Sequence, residues 1–128
     1  MINEKLIPST IARKSEVDEI NSKFVYSTEE VVIGKWADGK KLYRRVIKAS
    51  TPSFAGGWGL IASLPASLLI KNIYGTLKDY LPIPCFVSNS YYVAMQYIDS
   101  EYHGIQMYVQ GYLNTPVEIT VEYTKTTD

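Results

Sequence analysis

The chain has 128 residues, 46% of them hydrophobic and 20% charged, with thirteen basic side chains against thirteen acidic ones. That length holds one domain, the apolar share suffices to bury a core, and balanced charge argues against a protein that grips nucleic acid by its phosphates. No run approaches the ~20 apolar residues of a membrane span, and Met1-Ile2-Asn3-Glu4-Lys5 lacks the basic-then-apolar order of a signal peptide, so neither membrane insertion nor signal-directed export is expected.

In chain order, the first quarter differs from the rest. Ser15-Glu16-Val17-Asp18 has the form of a capping box, and Glu16, Asp18 and Glu19 place negative charge in the first turn, where the helix dipole favours it. Val17, Ile20 and Phe24 follow at spacings of three and four, one narrow apolar stripe on a short helix over about 16–24. A helix so short is not stable alone in water. It must pack either on its own domain or on copies of itself at the end of a coiled-coil stalk, which makes Val17, Ile20 and Phe24 the candidate oligomer interface. Residues 1–25 are therefore expected to be a stalk or linker, and 26–128 a separate β domain.

From Tyr26 onward the period is two. Val31-Val32-Ile33 and Leu42 to Ile47 flank Trp36-Ala37-Asp38-Gly39-Lys40, and Asp-Gly between apolar runs is a strong hairpin signal. Thr51 to Gly59, with Pro52 and three glycines around Trp58, reads as a loop. Ser67 to Leu77 suits a strand better than a helix, because its apolar residues are only partly in helical phase and Gly75 interrupts them. Pro82 and Pro84 keep their segment out of any central strand. Tyr92 to Ile98 and Ile105 to Val109 form two strands joined through the polar loop Asp99 to Gly104. Val117 to Thr124 alternates apolar and polar without a break, the pattern of a strand with one wet and one buried face. The expected fold is mainly β, an antiparallel β-sandwich or small barrel behind a short N-terminal helix.

The residues do not assemble a reactive centre. The single cysteine, Cys85, sits in apolar Ile83-Pro84-Cys85-Phe86-Val87, where a thiol packs as a small hydrophobe. The single histidine, His103, lies in a loop beside Gly104, and the carboxylates do not alternate as calcium-loop ligands do. No phosphate loop, nucleophile elbow or Ser/His/Asp arrangement is present. No catalytic residue, metal ligand or cofactor is expected.

Tyrosine stands out, with eleven in all, many in the last third. Tyrosine is a good strand residue and half-buries well, so packing within the sheet or between subunits accounts for most of them. It also offers contact area at low entropy cost, which suits a binding surface. For a ligand site the candidates are Trp58 in its glycine-rich loop, Tyr102, Tyr108 and Tyr112; Trp36, beside a turn, reads as a packing anchor.

Tyr26-Ser27-Thr28-Glu29-Glu30, followed by Trp36-Ala37-Asp38-Gly39-Lys40-Lys41-Leu42-Tyr43-Arg44-Arg45, resembles a segment recurring in phage tail-fibre, baseplate and receptor-binding structural proteins of Gram-positive bacteria and their prophages. The close, Val121-Glu122-Tyr123-Thr124-Lys125-Thr126-Thr127-Asp128, resembles the end of the same modules. The resemblance implies a virion structural domain without catalytic residues, usually a homotrimer at the end of a stalk, with other tail or baseplate proteins as partners. It implies that Trp36 to Arg45 is a folding element, and it is looser over Thr51 to Gly111, where ligand specificity would lie. Two functions follow as expectations. One is host-surface adhesion to a glycan or cell-wall polymer, with several weak sites multiplied on one symmetric tip. The other is pure architecture, a domain that trimerises and caps the fibre.

Overall fold

The structure is a computed structural model that describes residues 25–100 and 103–128. The helix expected over 16–24, with Val17, Ile20 and Phe24, lies outside the described residues. Within them the chain makes nine strands: β1 (Val31–Lys35), β2 (Lys41–Ser50), β3 (Trp58–Ser63), β4 (Leu68–Leu77), β5 (Leu81–Ile83), β6 (Cys85–Ser88), β7 (Tyr91–Asp99), β8 (His103–Gln110) and β9 (Pro116–Lys125). They form two antiparallel sheets, A in the order β1-β2-β9-β4-β5 and B in the order β3-β8-β7-β6. No helix among the described residues is long and apolar enough to cross a membrane.

The first hairpin forms as its sequence demands. Trp36 and Lys40 close the turn, with Trp36 N–H donating to the Lys40 carbonyl at 2.8 Å, and Gly39 takes the left-handed φ of +89° that ends it. Asp38 Oδ1 accepts from Lys40 N–H at 2.9 Å, the local bond that makes Asp a turn residue.

One core lies between the sheets. Sheet A contributes Tyr43, Leu77, Val117, Ile119, Val121 and Tyr123, and sheet B contributes Val93, Ile105, Met107 and Val109, all buried. The apolar members of the β9 alternation are the inward ones, as their pattern requires.

The chain passes between sheets as a two-stranded ribbon. β2 pairs with β9 up to Ser50 opposite Pro116, the pairing continues through Thr51 N–H to the Thr115 carbonyl at 2.9 Å, and β3 then pairs with β8 from Trp58 opposite Tyr108. At this corner the buried Thr51 hydroxyl accepts from Thr115 N–H and donates to the Tyr112 carbonyl. The proline segment also behaves as expected: β5 and β6 sit at sheet edges, joined through the cis Ile83–Pro84 bond.

Two sequence expectations are corrected. Thr51 to Gly59 is not loop throughout, because Trp58 and Gly59 open β3. The polar face of β9 is not simply wet, since Thr120 and Thr124 are buried. β9 is the middle strand of sheet A, so its outward residues are flanked on both sides, Thr120 by Val46 and Tyr74 in register. The segment before β1 adds cover. It runs beside β2, where Val46 N–H donates to the Ser27 carbonyl at 2.8 Å, and its Tyr26 ring lies 3.8 Å from the guanidinium carbon of buried Arg44. Arg44 also donates to the Val25 carbonyl at 2.9 Å.

Candidate functional site

The strand register of sheet B decides which side chains share its outer face. Trp58 stands opposite Tyr108 on the β3–β8 ladder, and Tyr92 opposite Phe86 on the β7–β6 ladder. Tyr92 and Tyr108 are diagonal neighbours across β7 and β8, since Tyr92 pairs with Gln110 and Tyr108 with Ala94. Side chains alternate faces along a strand, so these four rings project from one side.

They touch in sequence across all four strands. Trp58 meets Tyr108 edge-on at 5.6 Å between ring centres. Tyr108 lies nearly parallel to Tyr92 at 6.1 Å, and Tyr92 is stacked with Phe86 at 6.0 Å. These separations fall in the range of favourable aromatic pairs, which hold one another in place. The ends of the row are open, with Trp58 42% exposed and Phe86 69% exposed, and Leu60 beside Trp58 on β3 is 47% exposed. The two tyrosines between them are half-buried.

Polar groups accompany the rings. Gln96 Nε2 donates to Gln106 Oε1 at 3.0 Å on the same face. Burial raises the Tyr92 phenol above its ordinary value, and the Tyr108 hydroxyl beside it, hydrogen-bonded with it, adds to the rise. The row is therefore a neutral surface with hydroxyls and amides at its margins. Such a surface can stack on the apolar face of a ring and direct hydrogen bonds at its rim.

Of the four ligand-site candidates, the structure brings Trp58 and Tyr108 together in this row. Tyr112 stands apart at the β8–β9 corner, with a φ of +49°, its ring packed edge-on to Tyr91 at 5.2 Å and Lys78 Nζ 5.4 Å from its centre. Tyr102 lies outside the described residues. Sequence reasoning missed Tyr92 and Phe86 as members, because only the cross-strand register makes them neighbours of Trp58 and Tyr108. Trp36 is 40% exposed with Lys71 Nζ 5.1 Å from its ring, and stands outside the row.

Asp99 Oδ1 lies 3.0 Å from His103 Nδ1 across the β7–β8 hairpin, with the Tyr97 hydroxyl 3.4 Å from the same nitrogen. Among the described residues, no group of three or more His, Cys, Asp or Glu side chains is placed to hold a metal ion.

The segments Tyr26 to Arg45 and Val121 to Asp128 meet in sheet A. Tyr43 of the first pairs with Tyr123 of the second, and Arg44 with Glu122, on adjacent strands β2 and β9. Comparison with known proteins returned nothing: no family model, no curated protein and no solved structure matches the chain.

Proposed function

We propose that this protein is a non-enzymatic structural domain of a phage virion, a fibre-tip or baseplate module that adheres to a host-surface glycan as a homo-oligomer. The observation that carries the reading is the row Trp58–Tyr108–Tyr92–Phe86, four rings laid across four strands on the open face of sheet B. Sugars present flat C–H faces that stack on such rings, and shallow sites of this kind gain strength when several copies engage one surface. The resemblance of Tyr26 to Arg45 and Val121 to Asp128 to phage tail modules supplies the biological setting.

A second reading keeps the same row but covers it. Leu60 and Phe86 expose apolar surface without a hydroxyl, which suits packing between subunits. The domain would then be an architectural trimer that caps a fibre.

One experiment separates the two. The full chain, fluorescently labelled, is mixed with intact cells of a panel of Gram-positive strains, and its mass is measured in parallel by light scattering. Adhesion predicts binding to some strains, lost in Trp58→Ala and kept in Tyr80→Ala, an exposed residue outside the row. Capping predicts no cell binding by any form and a mass near three times 14.5 kDa that falls to the monomer in Trp58→Ala.

A further inference from the structure

The chain is 20% charged, yet the outer face of sheet B carries no charged side chain at any position the register assigns to it. Between and beside the rings stand Ala94, Gln96, Ile98, Gln106 and Gln110, and the rest is leucine, glycine and serine. The nearest charges in register, Asp99 and His103, fall on the other parity at the hairpin end. Sheet A shows the opposite choice: on its outer face Lys48 stands opposite Glu118, and Arg44 opposite Glu122.

Resting on the adhesion reading above, we propose that this face binds an uncharged glycan chain, and not the phosphate-bearing polymers that also cover Gram-positive cells. A phosphate polymer needs cations to meet it, usually arginine forks or lysine ammonium groups, and loses hydration if it is laid on apolar rings without them. Here the margin offers only amides and hydroxyls, which are matched to the hydroxyls of a neutral sugar. Stacking on ring faces needs no charge at all.

The row also sets a length. Four strands at the usual spacing of ~4.8 Å put its outer members ~14 Å apart across the sheet. One sugar ring covers only part of that distance, so the ligand is an oligosaccharide or polymer lying across the strands. Affinity should therefore rise with chain length until the row is filled.

The test uses the full chain against immobilised polymers: a panel of neutral polysaccharides (glucan, mannan, galactan, rhamnan) and, separately, polyglycerol phosphate. At least one neutral polymer is expected to bind, with an affinity unchanged when NaCl is raised about tenfold, since no ion pair is there to screen. Trp58→Ala is expected to weaken that binding about tenfold or more, and Tyr80→Ala to leave it alone. Phe86→Ala, at an exposed rim position, reads out the same loss if Trp58→Ala does not fold. Binding to polyglycerol phosphate alone, weakened by salt and by Phe86→Ala, would overturn the uncharged ligand while keeping adhesion at this face. Binding to no polymer in either set, together with a stable trimer, would overturn the adhesion reading itself.

Discussion

Tyr43 and Tyr123 close one end of the core with rings stacked at 5.7 Å and direct their hydroxyls to carboxylates, Tyr43 to Asp128 at 2.6 Å and Tyr123 to Glu30 at 2.6 Å. The bond to Asp128, with burial and the carboxylate charge behind it, pushes the Tyr43 phenol up to about 12. Below the ordinary tyrosine value near 10 both folded and unfolded states keep the proton, and the bond contributes in full; as the pH rises from about 10 towards 12 the unfolded chain ionises first and stability is lost. The urea midpoint should fall over that window, and Tyr43→Phe should fall less; an identical slope in the variant would sink the assignment. Glu30 shows the reverse sign. Burial raises its carboxyl, but the bonds from Lys125, at 2.7 Å, and from Tyr123 outweigh burial and hold it below its ordinary value. Its contribution is present above the unfolded value near 4.3 and drains as the pH falls through the lower folded one. Both partners of the ion pair are partly exposed, so Glu30→Gln should cost about 1 kcal/mol or less at pH 7 and blunt the acid-side loss, as read by urea melts. The tyrosines were legible as parts of alternating strand patterns; their acid partners were not, because Glu30 and Asp128 reach them from opposite ends of the described chain.

At the scale of strands, periodicity served where one face is dry and one is not. The β1–β2 hairpin and β9 stand where alternation and turn residues place them, and β4 where its composition does; the β7–β8 hairpin also forms, but its strands run into the expected loop, with Asp99 opposite His103 and Ile98 opposite Gly104. β3 escaped, because Trp58-Gly59-Leu60-Ile61-Ala62-Ser63 follows a glycine run, and the bulge between Leu60 and Ala62 breaks its alternation. The β4–β5 turn escaped too, since Lys78 and Asp79 both adopt left-handed φ without a glycine between them. The row on sheet B was half legible: Trp58 and Tyr108 carry their own aromatic signal, whereas Tyr92 and Phe86 acquire meaning only from pairing. Close approach of β4 to β9 gives one strand-level prediction. A Cβ at Gly75 would run into the Glu118 carbonyl oxygen, a backbone atom that cannot swing aside, so Gly75→Ala should destabilise by about 1–3 kcal/mol in urea melts. Met107, fully buried on β8, gives another: Met107→Ala should cost about 2–5 kcal/mol, and a loss below ~1 kcal/mol would mean the sheets do not share this core.

For the molecule as a whole, the division of labour runs by face. Sheet A carries charge on its outer face and has part of that face, around Arg44 and Val46, covered by the segment that precedes β1, while sheet B keeps its outer face neutral and aromatic. That division also separates the chain by segment: Tyr26 to Arg45 and Val121 to Lys125 lie on or against sheet A, and the aromatic row comes from the stretch between them. It also makes a separable pair of outcomes. Substitution at the exposed outer ring, Phe86→Ala, should change binding and leave the thermal midpoint within a few degrees, since that side chain is 69% exposed; Trp58→Ala, at a ring more than half covered, should change binding and lower the midpoint further. Gly75→Ala and Met107→Ala should do the opposite, lowering the midpoint while any molecules still folded bind as before.

The ribbon that turns the corner between the sheets has a consequence in time. β9 leaves the ribosome after the other eight described strands, yet it lies between β2 and β4, which are made well before it. Until its ten residues emerge, two finished strands wait with open ladders on either side of a missing centre. During synthesis sheet A can therefore exist only as two separate hairpins, β1–β2 and β4–β5, whose inner edges stay unpaired until β9 slots in between them. Where many copies are made side by side, that vacancy is also the place at which a strand from another copy would enter by mistake.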